Sequence, residues 1–177
     1  MNPDRDLELD IAKFDLLWPL AYPLHSKIPF LSALIRNFVK DEVISTAHLW
    51  EKAISVQLNL IRESKIDKDF QTGEDCKLVS VRTSSYGGSY SAPITGINRK
   101  TGNLIVACYE RKKKKWYFFK IPHEAYKDIP KTSNIEIPFE MDGTPRRTPL
   151  GARVYANWWD FECTFEQLGE SNEESKH

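Results

Sequence analysis

Asp67-Lys68-Asp69-Phe70-Gln71-Thr72-Gly73-Glu74-Asp75-Cys76-Lys77-Leu78-Val79-Ser80-Val81-Arg82 is where the chain changes period. Upstream, apolar residues recur at helical steps. Downstream they come in short β-branched and aromatic runs. Within the stretch, Cys76 to Val81 reads as a strand that opens a sheet. Residues two apart on a strand share a face, so Asp75 and Lys77 project together. Asp69 precedes them across a turn containing Gly73 and can return alongside. Two carboxylates at one place form an oxygen-donor site of the kind Mg²⁺ takes. An ammonium beside them can orient a water and offset charge developing on a phosphate. A simpler reading of the same residues is a surface ion pair worth under about 1 kcal/mol.

Upstream, Val43, Ala47, Trp50, Ile54, Leu58 and Ile61 stand three or four residues apart, which predicts one amphipathic helix over 43–63. Glu51 borders its buried stripe. Residues 1–40 are apolar but carry Pro19, Pro23 and Pro29, so two or three short helices are expected, covering the core or forming a dimerisation face. Downstream, strands are expected at Tyr90–Ile97, Leu104–Tyr109 and Trp116–Ile121. Asn98 to Gly102 and Glu110 to Lys115 read as hairpin connections, and Tyr86-Gly87-Gly88-Ser89 as a flexible loop. His123 to Tyr126 can open a short helix after Pro122. Residues 130–168 are proline-punctuated and end in an aromatic stretch that can pack as a final helix. Residues 169–177 are a polar tail. These elements predict an α/β chain with a mixed central β-sheet flanked by helices, organised as a single domain over 1–168.

The chain has 177 residues, with 25 Lys plus Arg balancing 25 Asp plus Glu and 41% hydrophobic residues. That content excludes wholesale disorder. No run approaches the about 18 apolar residues of a membrane span. The acidic start lacks signal-peptide character, and Cys76, Cys108 and Cys163 are isolated, so a reduced, cytoplasmic protein is expected. There is no CxxC pair, no phosphate-binding glycine loop, no dinucleotide fingerprint and no nucleophile elbow. The balanced charge is unevenly spread. From Lys77 to Lys120 there are ten cations and one acid, Glu110, so this segment is +9 and the remainder −9. A segregated cationic segment suits a polyanion, most simply nucleic acid, although a lysine-rich turn such as Lys112 to Lys115 is also compatible with plain solvation.

The ordered set of Glu51 on a helix, then Asp69, then Asp75-Cys76-Lys77 on a strand, followed by the Leu104–Tyr109 and Trp116–Ile121 strands, resembles the PD-(D/E)xK nuclease superfamily, the restriction-endonuclease-like fold. The resemblance covers roughly residues 43–126. It implies a Mg²⁺-dependent endonuclease that hydrolyses double-stranded DNA at a defined site with an activated water, as a type II restriction enzyme does. Asp69, Asp75 and Glu51 would hold the metal, Lys77 would position the water, and a homodimer would cut both strands. The alternative is a homing or phage-borne site-specific endonuclease of the same fold. No proline precedes Asp69, and Cys76 is unusual at the middle position; these departures leave Asp67 and Glu74 as alternative upstream ligands. A second placement takes Glu110-Arg111-Lys112 as the Glu-x-Lys, with Asp75 upstream. DNA contacts are expected from Arg82, Tyr86, Ser89, Tyr90, Asn98, Arg99 and Lys100. The rival from another class is a non-catalytic DNA- or RNA-binding module built on the same basic, aromatic strands.

Overall fold

A computed structural model describes residues 6–43, 47–58, 74–83, 88–97, 102–130, 135–147 and 157–169. The chain forms two compact units, Met1–Ile61 and Arg62–His177.

The first unit is helical. Its elements are α1 (Leu7–Ala21), a 3₁₀ turn (His25–Lys27), α2 (Pro29–Lys40) and α3 (Ala47–Leu58). Asp6 caps α1, its carboxylate accepting from the Leu9 amide at 3.0 Å, which satisfies one of the orphan donors of the first turn. Pro29 stands in the first turn of α2, where a missing amide costs nothing. Pro23 falls between helices, as expected. Pro19 does not interrupt: it lies inside the last turn of α1, and the helix closes only after Ala21, with the Tyr22 amide donating to the Trp18 carbonyl. Phe14, Leu17, Trp18 and Ala21 of α1 are buried, as are Val39 of α2 and Leu49, Trp50 and Ala53 of α3.

The second unit is built on two sheets. Strands β1 (Asp75–Ser80), β4 (Leu104–Glu110), β5 (Lys115–Ile121) and β7 (Glu162–Cys163) form one, in the order β1-β4-β5-β7. It is a mixed sheet: β1 runs parallel to β4, while β4–β5 and β5–β7 are antiparallel. A parallel pair needs a crossover. Here the intervening chain supplies it with strands of the second sheet, β2 (Arg82–Thr83) and β3 (Tyr90–Ile94), which together with β6 (Ile135–Phe139) are ordered β2-β3-β6 and antiparallel. The α/β class and its mixed sheet follow the expectation. The expected hairpin connection from Asn98 to Gly102 falls on residues of which 98–101 lie outside the described ones; the strands before and after it, β3 and β4, belong to different sheets. The 110–115 connection is a hairpin, joining β4 to β5.

Alternation decides the core. Leu104, Val106 and Cys108 of β4, Tyr117, Phe119 and Ile121 of β5, Tyr90, Ala92 and Ile94 of β3, and Ile135, Ile137 and Phe139 of β6 pack in one cluster, closed by Trp158 and Trp159. All seven residues of β4 are buried, as suits a strand covered on both faces. The short helix α4 (His123–Tyr126) follows Pro122 as expected, and the Tyr126 hydroxyl donates to the Gly102 carbonyl at 2.7 Å. The aromatic stretch forms a 3₁₀ turn, Trp158–Phe161. Strand β6 was not legible in the proline-punctuated segment. Pro138 sits in it because β6 is an edge strand, where a missing amide breaks no second ladder. Among the described residues, no helix is long and apolar enough to cross a membrane.

Candidate functional site

Two carboxylates are buried among the described residues, Asp75 and Glu110. Both lie on the cluster-facing side of the mixed sheet, and they mark its opposite ends. Asp75 opens β1 and is in register with Leu104; Ser80 is in register with Tyr109, next to Glu110. The rise along a strand, about 3.3 Å per residue, sets the two carboxylates about 20 Å apart in the strand direction.

At the first end, the Asp75 amide donates to the Asn103 carbonyl at 3.0 Å, which starts the parallel pairing. Asp75, Lys77 and Val79 then share one face, and Val79 packs against the core cluster. The Lys77 ammonium lies 3.2 Å from Asp75 Oδ1 and donates to the Gly96 carbonyl at 2.7 Å. The Asp75 side chain is 6% exposed and that of Lys77 24%. Gly96 follows β3, with φ of +60°, a left-handed conformation that glycine adopts without a side-chain penalty. Lys77 therefore ties the start of β1 to the chain leaving the second sheet. Cys76 points to the opposite face, so its thiol is not part of this group.

The donor chemistry suits a hard cation: Asp75 offers carboxylate oxygen at the protein's interior edge, with no soft ligand beside it. Asp75 and the alternative ligand Glu74, half-buried one residue before β1, are the proposed metal ligands whose side chains are described. No group of three His, Cys, Asp or Glu residues placed to hold a metal occurs among the described residues. Glu51 lies on α3, as the helical spacing predicts, and its side chain lies outside the described residues. Asp69 also lies outside them, as does the alternative ligand Asp67.

At the other end, Glu110 is fully buried. Its Oε1 accepts from the Tyr90 hydroxyl at 2.5 Å and from the Lys112 amide at 3.0 Å. Its Oε2 accepts from the Lys113 amide at 2.7 Å. Lys112 donates through its ammonium to the Met141 carbonyl and stands 4.2 Å from the Tyr90 ring centre. A methyl group on Gly143 would come within 2.7 Å of Glu110 Oε2, and Gly143 itself has φ of +85°. Burial, then the hydrogen bond to Glu110 and its charge, raise the Tyr90 phenol far above its ordinary value. Burial and the same carboxylate likewise raise the Cys108 thiol.

This arrangement separates the two placements of the acid-x-Lys pair. Asp75 and Lys77 meet. Asp75 and Glu110 do not, because the parallel register holds them at opposite ends; Glu110 serves the turn, and Lys112 reaches a backbone carbonyl and an aromatic ring. Of the residues expected to contact DNA, Arg82 is exposed on β2 and Ser89 is half-buried. Tyr90 is corrected: it is 6% exposed and its hydroxyl is given to Glu110, so it belongs to the core. An aromatic beside a glycine-rich loop reads as a contact residue, but the alternation of β3 turns it inward. Tyr86, Asn98, Arg99 and Lys100 lie outside the described residues. The Glu110–Tyr90–Gly143 group was missed. Its sequence signal was a lone acid between a fully apolar strand and a run of cations.

No family model matches the chain, and neither the curated proteins nor the solved structures yield a match.

Proposed function

We propose that the protein is a Mg²⁺-dependent endonuclease of the restriction-endonuclease-like fold, hydrolysing phosphodiester bonds of double-stranded DNA at a defined site. The observation that carries this reading is the Asp75–Lys77 pair: a carboxylate and an ammonium 3.2 Å apart on one face at the start of a sheet strand, both largely shielded from water. The acid-x-Lys spacing needs a strand to bring its charges together, and β1 is one. Asp75 would hold the metal, with Asp69 and Glu51 as the further carboxylates. Bound Mg²⁺ would lower the pKa of a water and offset charge on the scissile phosphate. Lys77, kept extended by the Gly96 carbonyl, would orient that water and stabilise the phosphorane charge as it develops. Cutting both strands of a symmetric sequence would use two copies, each with one site. A type II restriction role and a homing or phage-borne role share this chemistry.

The test is digestion of supercoiled plasmid with Mg²⁺, with and without chelator, by the full chain and by Asp75→Asn and Lys77→Ala. Chelator-sensitive nicking or linearisation, lost in Asp75→Asn and slowed in Lys77→Ala, supports the reading. Intact plasmid under every divalent metal tried, with DNA still bound, replaces it by a non-catalytic nucleic-acid-binding module, the reading that the exposed cations of the 111–115 turn favour on their own.

A further inference from the structure

We propose that the end of the sheet unit opposite Asp75 is a phosphate-backbone docking surface for duplex DNA, displayed on the β4–β5 turn and held in place by the buried Glu110 carboxylate. This rests on the DNA-substrate part of the proposed function and adds a second place of contact to it.

Arg111, Lys112, Lys113, Lys114 and Lys115 are five consecutive cations, and all five are exposed. Such a run repels itself and, on an unsupported hairpin, would splay. Here the turn is pinned from beneath. Glu110 accepts the amides of Lys112 and Lys113, the Tyr90 hydroxyl fixes the same carboxylate, and the ammonium of Lys112 is tied to the Met141 carbonyl. Lys115 lies 4.7 Å from the Tyr117 ring centre. The sheet register collects further cations at this end. Arg82 opens β2 opposite Ser91, beside Tyr90 in the ladder. Arg146 and Arg147 follow the Phe139–Pro145 bridge, and Phe139 is in register with Tyr90. Arg146 is neutralised by Glu140 at 3.7 Å, and Arg147 by Glu162 at 2.8 Å, which is in register with Phe119 farther along β5, so the turn itself carries the excess charge. A rigid array of cations on a protruding turn matches the regular phosphates of a duplex, and counterion release supplies the affinity.

The experiment measures binding of a fluorescent duplex as a function of salt, in a chelating buffer so that no cleavage intervenes. It compares the full chain, the triple variant Lys113→Gln/Lys114→Gln/Lys115→Gln, and a charge-matched control in the helical unit, Lys27→Gln/Lys40→Gln/Lys52→Gln. The turn variant should flatten the slope of log affinity against log salt by about two to three units, and the control should leave it unchanged. Equal flattening in both triples, or none in the turn variant, overturns the surface. So does loss of binding to phosphatidylserine vesicles with duplex binding retained, which would make the turn a membrane contact. A chain that binds through the turn but never cleaves removes the nuclease reading and leaves the surface standing. A chain that cleaves normally while the turn variant keeps its slope does the reverse.

Discussion

Asp75 and Glu110 sit on the same face of the same pair of parallel strands, yet they are treated in opposite ways. Glu110 is enclosed: one hydroxyl and two amides spend their hydrogen bonds on it, and Gly143 packs where any side chain would collide. Its negative charge is used up in holding a turn. Asp75 is also shielded, and one of its partners is charged, a lysine ammonium that is itself a quarter exposed and shared with a backbone carbonyl. A carboxylate surrounded by fixed neutral donors is a structural part. A carboxylate beside an ammonium at the edge of a sheet is the kind that the proposed function uses, because a lysine's flexible stem lets its charge shift toward a cation's water or a phosphate. Burial alone does not distinguish the two; the identity of the donors does.

The contrast breaks most directly at Asp75. Asp75→Asn should reduce DNA cleavage by about 100-fold or more, the scale of losing one preorganised electrostatic group, while the protein unfolds at nearly the same urea concentration. A cleaving Asp75→Asn protein would show that the two ends have been assigned the wrong way round.

The complementary change is Glu110→Leu. It leaves the Tyr90 hydroxyl and two turn amides without their acceptor, at a combined cost of about 3 kcal/mol. For a unit of this size the melting temperature should drop by about 10 °C, read by circular dichroism. A melting temperature within about 2 °C of the parent would mean that Glu110 is not the support of the turn.

Gly143→Ala sharpens the same end from the other side. The new methyl meets a carboxylate that three donors hold in place, and the backbone there has positive φ, so a loss of about 1–3 kcal/mol is expected in chemical denaturation. In a Glu110→Ala background the two losses should sum to less than their separate values, because the carboxyl group that collides has gone while the positive φ remains.

The smallest effect is alkaline. Burial and the Glu110 charge raise the folded-state pKa of Cys108, and burial and Glu110 do the same for Tyr90 and Tyr117. A raised folded-state value means that stability is complete below the unfolded value and falls as pH rises towards the folded one. Unfolding free energy should therefore hold up to about pH 8.5, the ordinary thiol range, and decline above it. Cys108→Ala should move the onset to about pH 10, where the phenols take over. A flat profile in both proteins would place these groups in contact with water.

Much of the local structure was legible in the residues. The period change at Asp67 to Arg82, the helix containing Trp50, the strands at Cys76, Leu104 and Trp116, and the lysine-rich hairpin turn follow from spacing and turn chemistry, because those are properties of a few neighbouring residues. So does the meeting of Asp75 and Lys77, since two residues apart on a strand is a purely local relation. Pro138 misled because what a missing amide costs depends on whether a partner was waiting for it, and the outer side of an edge strand has none; Pro19 misled because a proline near a helix's end forfeits one bond, to the carbonyl four residues back, without stopping a helix that ends within the same turn. The partner of each strand was not local. Only the folded chain sends β3 to a second sheet and sets β1 parallel to β4, and that register alone separates Asp75 from Glu110 and turns Tyr90 inward. Spacing along the chain determines which residues share a face; pairing between distant strands, driven by burial of the common core, decides which faces and which ends come together.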